Sequence, residues 1–143
     1  MASGKALGAR LENQLANLLW GMGFAVVRGP SSGSGARRRF QPDLVAIRSG
    51  KILVFEVKRG HEGRPLYLRA SQVEKLAEFA SRAGGEAFIA VHIPWLGWRI
   101  HRLDSLERVS DARFKISNPE SGLRLEVLVE MLFPKSRRLD EFM

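Results

Sequence analysis

Apolar residues near the start of the chain recur at the spacing of an amphipathic helix. Five of them, separated by four, four, three and four positions, share one helix face: Leu7, Leu11, Leu15, Leu18 and Met22. This pattern predicts a helix from about residue 4 to residue 22 that ends at the glycines 21 and 23. Glu12 lies on the flank of the apolar stripe, where a half-buried carboxylate needs a charged partner or a ligand. An ordinary surface glutamate is the alternative.

The remaining apolar runs predict strands and two further helices. We expect strands at residues 24–28, 44–47, 52–55, 86–93, 97–101 and 113–117, and helices at residues 70–83 and 123–133. The order indicates an α/β fold, a single domain with a mixed central β-sheet flanked by helices. We expect this domain to span residues 1–135, followed by a flexible tail at residues 136–143.

A hairpin between the second and third strands places two acids together. If Ser49 and Gly50 form a two-residue turn, Arg48 pairs with Lys51, and each further pair of residue numbers sums to 99. Asp43 then lies directly opposite Glu56, and alternation places Lys58 on the same face as Glu56. A slip of one residue in this register would send one acid to the other face.

Two directly opposed carboxylates repel each other unless a positive charge lies between them. Mg²⁺ would provide that charge, because it takes carboxylate oxygens and keeps positions free for water and phosphate. Lys58 could then position a water or neutralise a phosphate. A surface salt-bridge cluster is the alternative, but it does not explain why the acids oppose each other among apolar strand residues.

Charge is distributed unevenly along the chain. Residues 1–61 contain ten Lys or Arg and three acids, a balance of +7, whereas the remainder contributes +1. A basic half of this kind attracts polyanions through phosphate contacts. The candidate phosphate contacts there, several of them in or beside a Gly/Ser-rich loop at residues 29–39, are Lys5, Arg10, Arg37, Arg38, Arg39 and Arg59. A solubilising surface and a merely flexible loop are the alternatives.

Other residue types limit which kinds of protein and of metal site are possible. The chain has no cysteine, so it has neither a disulfide framework nor a thiolate metal site. No signal peptide or 18-residue apolar run is evident, and we expect a cytoplasmic protein without a membrane partner. Trp95 and Trp98 could stack on bases, but we expect core or subunit contacts. The three histidines, His61, His92 and His101, lack metal-ligand spacing.

The residues Pro42-Asp43 and Glu56-Val57-Lys58, joined by a hairpin, resemble the PD-(D/E)xK nuclease superfamily. With the helix bearing Glu12, the strand ending at Arg28, the serine-rich loop and Gly97-Trp98-Arg99, nearly the whole chain resembles the archaeal-type Holliday junction resolvases. The resemblance implies a restriction-endonuclease-like fold and a symmetric homodimer. It implies that each subunit nicks one of two opposed strands of a four-way DNA junction.

The resemblance also assigns site residues. Glu12, Asp43 and Glu56 would bind Mg²⁺, for which Mn²⁺ could substitute, and would act in catalysis with Lys58. Arg28 would contact DNA beside the site. The catalytic serine would be Ser32, with Ser31 and Ser34 as alternatives in this longer loop.

We therefore expect a Mg²⁺-dependent endonuclease that resolves four-way junctions in DNA recombination and repair. The alternatives are a related repair or restriction-like endonuclease acting on duplex or flap DNA, and a non-catalytic DNA-architectural module. Residues 136–143 also resemble a sliding-clamp-binding peptide, although Ser136 replaces its usual first glutamine. A polar tail that ends in two chance apolar residues is the alternative.

Overall fold

The computed structural model describes residues 4–29 and 39–135. Within these ranges the chain forms three α-helices and eight β-strands, with short 3₁₀ turns at Leu103–Ser105 and Pro119–Ser121. In chain order the elements are α1 (Gly4–Gly21), β1 (Ala25–Arg28), β2 (Leu44–Arg48), β3 (Lys51–Arg59), β4 (Leu66–Arg69), α2 (Ala70–Ala83), β5 (Glu86–Ile93), β6 (Gly97–Arg102), β7 (Glu107–Arg108), β8 (Arg113–Ile116) and α3 (Leu125–Leu132).

The main sheet has five strands in the order β1-β2-β3-β5-β6. Strands β3 and β5 pair in parallel, and the other neighbours pair antiparallel. A parallel pair needs a long crossover, which the segment containing β4 and α2 provides. Strands β4, β8 and β7 form a separate three-stranded sheet.

Hydrophobic cores cover both faces of the main sheet. On one face, Leu11, Leu15 and Leu19 of α1 pack with residues of α3 and with alternate residues of the strands, such as Phe55 and Phe88. On the other face, residues of α2 and of the small sheet pack against the intervening strand positions. The α2 helix ends where Gly84 adopts a left-handed conformation, with φ 72°. Because the central strands β3 and β5 are largely buried on both faces, their residues have fixed orientations.

These elements confirm the predicted α/β fold class with its mixed central sheet. The helix predicted at residues 70–83 and the strand at residues 86–93 have the expected bounds. The last helix begins at Leu125 rather than residue 123, because Leu123 forms an isolated β-bridge with Ile100. Strands β4 and β7 were not expected, since one lies in a largely polar stretch and the other has only two residues.

Tryptophan burial matches the sequence-based expectation at one position and differs at the other. Trp98 is buried in the core on the α1 face of the sheet, as predicted. Trp95 is not a core residue, because it stands at the turn between β5 and β6 with a relative exposure of 102%, and the subunit contact that was the other expectation stays a prediction. Among the described residues no helix is both long and apolar enough to cross a bilayer.

Candidate active site

The turn between β2 and β3 sets the register of the acids. Ser49 and Gly50 both have positive φ, 51° and 80°, as a type I′ hairpin requires. The pairing runs from Arg48 opposite Lys51 to Leu44 opposite Phe55, so the next step outward brings Asp43 to Glu56. The register that the sequence predicted is therefore confirmed.

Asp43 is held in place by the backbone of the neighbouring strand. The N–H of Val57 donates a hydrogen bond of 2.8 Å to Asp43 Oδ2. Strand β2 begins beside the carboxyl end of β3, and the parallel register places the carboxyl end of β5 there too. We call this end of the main sheet the site edge.

Asp43 and Glu56 influence each other's pKa. Glu56 is 9% exposed, and burial, followed by the charge of Asp43, raises the pKa of its carboxyl from 4.5 to about 8. Burial and then the charge of Glu12 likewise raise the pKa of Asp43, while the Val57 hydrogen bond opposes this rise. Each acid therefore resists ionising beside the other unless a cation joins them.

Lys58 extends the cluster on the same face. Its Nζ lies 3.8 Å from Glu56 Oε2, and it donates a long hydrogen bond of 3.5 Å to Gln72 Oε1 in the first turn of α2. The crossover that makes β3 and β5 parallel thus also brings a helix residue to the lysine. The predicted grouping of Asp43, Glu56 and Lys58 is present.

Glu12 lies on α1, near the acid pair. Its charge raises the pKa of both Asp43 and Glu56, which places it within electrostatic range of the pair. Arg28, at the end of β1, donates to Glu12 Oε1 at 2.9 Å and to Asn13 Oδ1 at 2.6 Å. The charged partner that the sequence required for Glu12 is therefore Arg28.

The carboxylates do not form a closed cage in this arrangement. Across residues 4–29 and 39–135, no three Asp, Glu or His side chains are placed closely enough to enclose a metal ion. The donor set itself is suited to a hard cation, since it consists of carboxylate oxygens in a buried pair that disfavours its own double charge. The residues present thus fit a divalent cation held first by Asp43 and Glu56.

Several predicted DNA contacts lie at the surface. Lys5, Arg10, Arg39 and Arg59 are exposed, whereas Arg28 is the partner of Glu12. Ser32, its alternatives Ser31 and Ser34, and the arginines Arg37 and Arg38 lie outside the described residues, as does the tail at residues 136–143.

The histidines have no place in the acid cluster. The ring of His92 packs edge-on against Trp98 with centroids 5.1 Å apart. The buried ring of His101 has Nε2 2.8 Å from the carbonyl oxygen of Pro119. Burial lowers the pKa of both histidines, so each is held towards its neutral form.

Sequence reasoning did not find three hydrogen-bond partners at the site: Gln72 for Lys58, Asn13 for Arg28 and the N–H of Val57 for Asp43. A backbone N–H carries no sequence signal. Gln72 follows the polar stretch that was not predicted to form a strand, and only the fold brings it to Lys58. Asn13 could have been noticed as the direct neighbour of Glu12.

A mixed sheet that carries an acid pair and a lysine at the ends of adjacent strands defines a nuclease of the restriction-endonuclease-like fold. The family model of the archaeal Holliday junction resolvases (Hjc) matches residues 3–137. The chain belongs to this family. The predicted classes of endonuclease and of DNA recombination and repair enzyme are thereby confirmed.

Relatives extend over the full length of the chain. It is 38% identical to the crossover junction endodeoxyribonuclease Hjc of Sulfurisphaera tokodaii, with 100% of each chain covered, and 35% identical to that of Sulfolobus acidocaldarius, with 99% of each covered. The solved structure of Archaeoglobus fulgidus Hjc, a Holliday junction resolvase, matches with a TM-score of 0.74 and 36% identity. That match covers 85% of this chain and 94% of the solved one. Nucleases with this fold are generally metal-dependent.

Proposed function

We propose that this chain is a structure-selective endonuclease that resolves four-way DNA junctions by Mg²⁺-dependent hydrolysis of phosphodiester bonds. The observation that carries the proposal is the pair of Asp43, which is half-buried, and Glu56, which is buried, beside Lys58 at the site edge. Full-length relatives named as crossover junction endodeoxyribonucleases support the choice of substrate.

Asp43 and Glu56 would hold the ion, and Glu12 would join them once Arg28 releases it. A cation between the acids removes the repulsion that raises the pKa of each. When bound, Mg²⁺ supplies an activated water and charge stabilisation at the phosphate, and Mn²⁺ would substitute for it.

Lys58 has two roles available at the reacting phosphate. Its ammonium group donates hydrogen bonds and neutralises charge, and Gln72 fixes its direction from the α2 side. The Val57 N–H keeps one oxygen of Asp43 engaged, which orients the carboxyl. Ser32 is proposed as a further catalytic residue on the basis of sequence position.

DNA would approach over the basic half of the chain. The proposed contacts, which bind phosphate and therefore read shape more than base sequence, are Lys5, Arg10, Arg28, Arg37, Arg38, Arg39 and Arg59. Arg28 can serve either Glu12 or a phosphate, because a guanidinium binds both groups in the same way. The substrate also implies a place of action on the nucleoid in the cytoplasm.

A homodimer would provide two sites for two opposed strands, and an uncovered part of the main sheet offers a surface for it. Val27 pairs with Val45, which pairs with Val54 of the core on the α2 face, so all three share that face. Yet Val27 is 61% exposed and Ile47 is also exposed. The core on this face therefore continues into open apolar surface, as expected where a second copy packs.

The α2 helix adds a cavity on the same side of the sheet. The cavity has a volume of about 670 Å³ and is lined by Arg39, Phe40, Lys75, Glu78, Phe79, Arg82 and Ala83. Phe40 packs edge-on against Phe79 with centroids 6.5 Å apart. Side chains of a second subunit would fill this space.

We propose separately that residues 136–143 bind a sliding clamp, a contact that their deletion would abolish.

A cleavage assay tests the proposed activity. Synthetic four-way junctions, flaps and linear duplexes are incubated with the protein, with and without Mg²⁺. We expect paired, symmetric nicks in the junction only when Mg²⁺ is present. Equal cleavage of all three substrates would favour the repair-type alternative, and junction binding without product under Mg²⁺ or Mn²⁺ would contradict the proposal.

A further inference from the structure

The turn between β5 and β6 carries a solvent-exposed tryptophan, Trp95. Trp95 is fully exposed, and its backbone has a φ of 72°, a left-handed conformation that side chains rarely adopt. Tryptophan is otherwise among the more buried residue types. Neither packing nor backbone preference within the subunit accounts for this residue at this position.

Hydrogen bonds and core packing stabilise the turn that carries Trp95. The N–H of Leu96 donates to the carbonyl oxygen of Ile93 at 3.1 Å. Arg99 donates from one guanidinium nitrogen to the carbonyl oxygens of Leu96 and Trp98, at 3.0 and 2.9 Å. Leu96 packs against the core on the α2 face. The indole of Trp95 therefore projects into solvent from a rigid turn.

Trp95 lies beyond the site edge. Because β3 and β5 are parallel, Glu56 is level with Ile89 and Arg59 is level with His92. Trp95 follows six residues after Ile89, which places it roughly 15–20 Å from the acid pair at about 3.3 Å per strand residue. That distance corresponds to about five base pairs of duplex.

Positive charge lies between the acid pair and the turn. Arg59 is exposed at the end of β3, and the next residue, Gly60, donates its N–H to the His92 carbonyl at 2.9 Å. Arg99 lies level with Val91 and Lys58 on the α2 face. Arg99 thus places positive charge on the α2 face between Lys58 and the turn, and Arg59, on the opposite face by alternation, adds charge at the end of β3.

We propose that Trp95 contacts a junction arm about four to six base pairs from the scissile phosphate, its indole packing against sugars and bases in the minor groove. The contact adds an apolar anchor to a surface that otherwise binds phosphate. This inference rests on the proposed junction substrate and goes beyond it, because it assigns a contact outside the acid cluster and outside the Gly/Ser-rich loop at residues 29–39.

Trp20 supplies a matched control. It is also an exposed tryptophan, at 69%, but it lies near the end of α1, where the Gly23 N–H donates to its carbonyl oxygen at 3.0 Å. The strand that follows begins with Ala25 opposite Ile47, next to the Ser49–Gly50 turn. Trp20 is therefore at the end of the molecule opposite the site edge.

The experiment measures junction affinity and cleavage separately. Fluorescence anisotropy with a labelled junction gives Kd in the cleavage-deficient D43N background, and single-turnover cleavage at saturating enzyme is measured in the otherwise wild-type chain. We expect W95A and W95G to weaken binding roughly 5- to 100-fold, W95F to lose less, and W20A to match the parent. The saturating cleavage rate should stay within about twofold of wild type. W95G relieves the positive φ, so agreement between it and W95A excludes a folding defect.

A second measurement follows the indole directly. In a W20F background, Trp95 is the exposed tryptophan that remains, since Trp98 is buried. We expect junction DNA to reduce acrylamide quenching of its fluorescence. Unchanged affinity of W95A, an equal loss in W20A, or unchanged quenching would overturn the inference. Failure of the parent to bind a junction would instead overturn the proposed function.

Discussion

Arg28 donates a hydrogen bond of 2.9 Å to Glu12 across sixteen residues of sequence, tying the end of β1 to the helix residue that faces the acid pair. The pair is partly exposed, so it stabilises the fold by less than about 1 kcal/mol. An interaction this weak can be exchanged for a metal ion or a phosphate. If Glu12 binds the metal ion as proposed, Arg28 would neutralise its carboxylate until the ion replaces it.

Releasing Glu12 should therefore strengthen metal binding. We expect R28Q to raise the Mn²⁺ affinity of the DNA-free protein up to about fivefold, measured by electron paramagnetic resonance, while weakening junction binding. R102Q is the control, because Arg102 forms an exposed ion pair with Glu86, 3.8 Å apart, at the end of the main sheet opposite the site edge. Weaker metal binding in R28Q would show that the arginine supports Glu12 rather than competes for it.

Two substitutions separate the effect of the Asp43 charge from the effect of its hydrogen bond. D43N keeps an oxygen that accepts from the Val57 N–H, whereas D43A loses both the charge and the acceptor. We expect each variant to cleave junctions about a thousandfold or more slowly and to retain junction binding. Only D43A should also lower the melting temperature. D111A, an exposed acid in the turn before β8, serves as the control, and Mg²⁺-dependent cleavage by D43N would refute the assignment.

The buried acids make the stability of the metal-free protein depend on pH. Glu56 has a higher pKa in the folded state, about 8, than the 4.5 of an ordinary glutamate. Between these values the folded state binds more protons, so the free energy of unfolding falls as pH rises from about 4.5 to about 8. The loss is at most about 5 kcal/mol from this shift, and the raised pKa of Asp43 acts in the same direction.

Urea denaturation in a chelator across this pH range measures the effect. E56Q should flatten the slope and be more stable than wild type at pH 8, whereas E126Q on the exposed side of α3 should keep the wild-type slope. Added Mg²⁺ should restore stability to the wild type at pH 8. A wild-type stability that rises over this range would contradict the raised pKa.

Gln72 offers a test of lysine positioning. We expect Q72A to slow cleavage about tenfold without changing junction Kd, because Lys58 keeps its charge but loses a partner that fixes its direction. Q72E should shift the pH dependence of cleavage, since a carboxylate replaces the neutral amide beside the ammonium group. Q14A, on the exposed face of α1, is the control. Equal losses in Q72A and Q14A would remove the role assigned to Gln72.

A charged substitution tests whether the uncovered face of the main sheet is the dimer interface. V27D should convert the proposed dimer to a monomer in sedimentation velocity, because it places a carboxylate within the exposed apolar surface. V109D is the control, since Val109 is also exposed, at 46%, beside the small sheet. A V27D protein that sediments like the wild type would rule out this face as the interface.

The acid pair was predictable because its determinants are local. A two-residue turn fixes the register of a hairpin, and alternation then decides which side chains share a face. The position of Glu12 relative to the pair could not be derived in this way, because it depends on how α1 packs across β1 and β2. The resemblance to a known family supplied it instead.

Other features depended on contacts that no periodicity encodes. Strand β4 lies in a largely polar stretch and forms because β8 pairs with it. Gln72 becomes a neighbour of Lys58 only through the crossover. Trp95 lies in an apolar stretch of sequence, yet the turn directs it outward. Apolar sequence context predicts burial poorly at a hairpin tip, where the chain reverses and leaves one residue without neighbours.

The Ser49–Gly50 turn is remote from the site edge, although it sets the register there. Ser49 is exposed with a φ of 51°, and the chain contains no cysteine. S49C would therefore provide one unique thiol per subunit, far from the acids and from Trp95. A donor and an acceptor dye attached there would report the separation of two subunits as they engage and release a junction, without any label touching DNA.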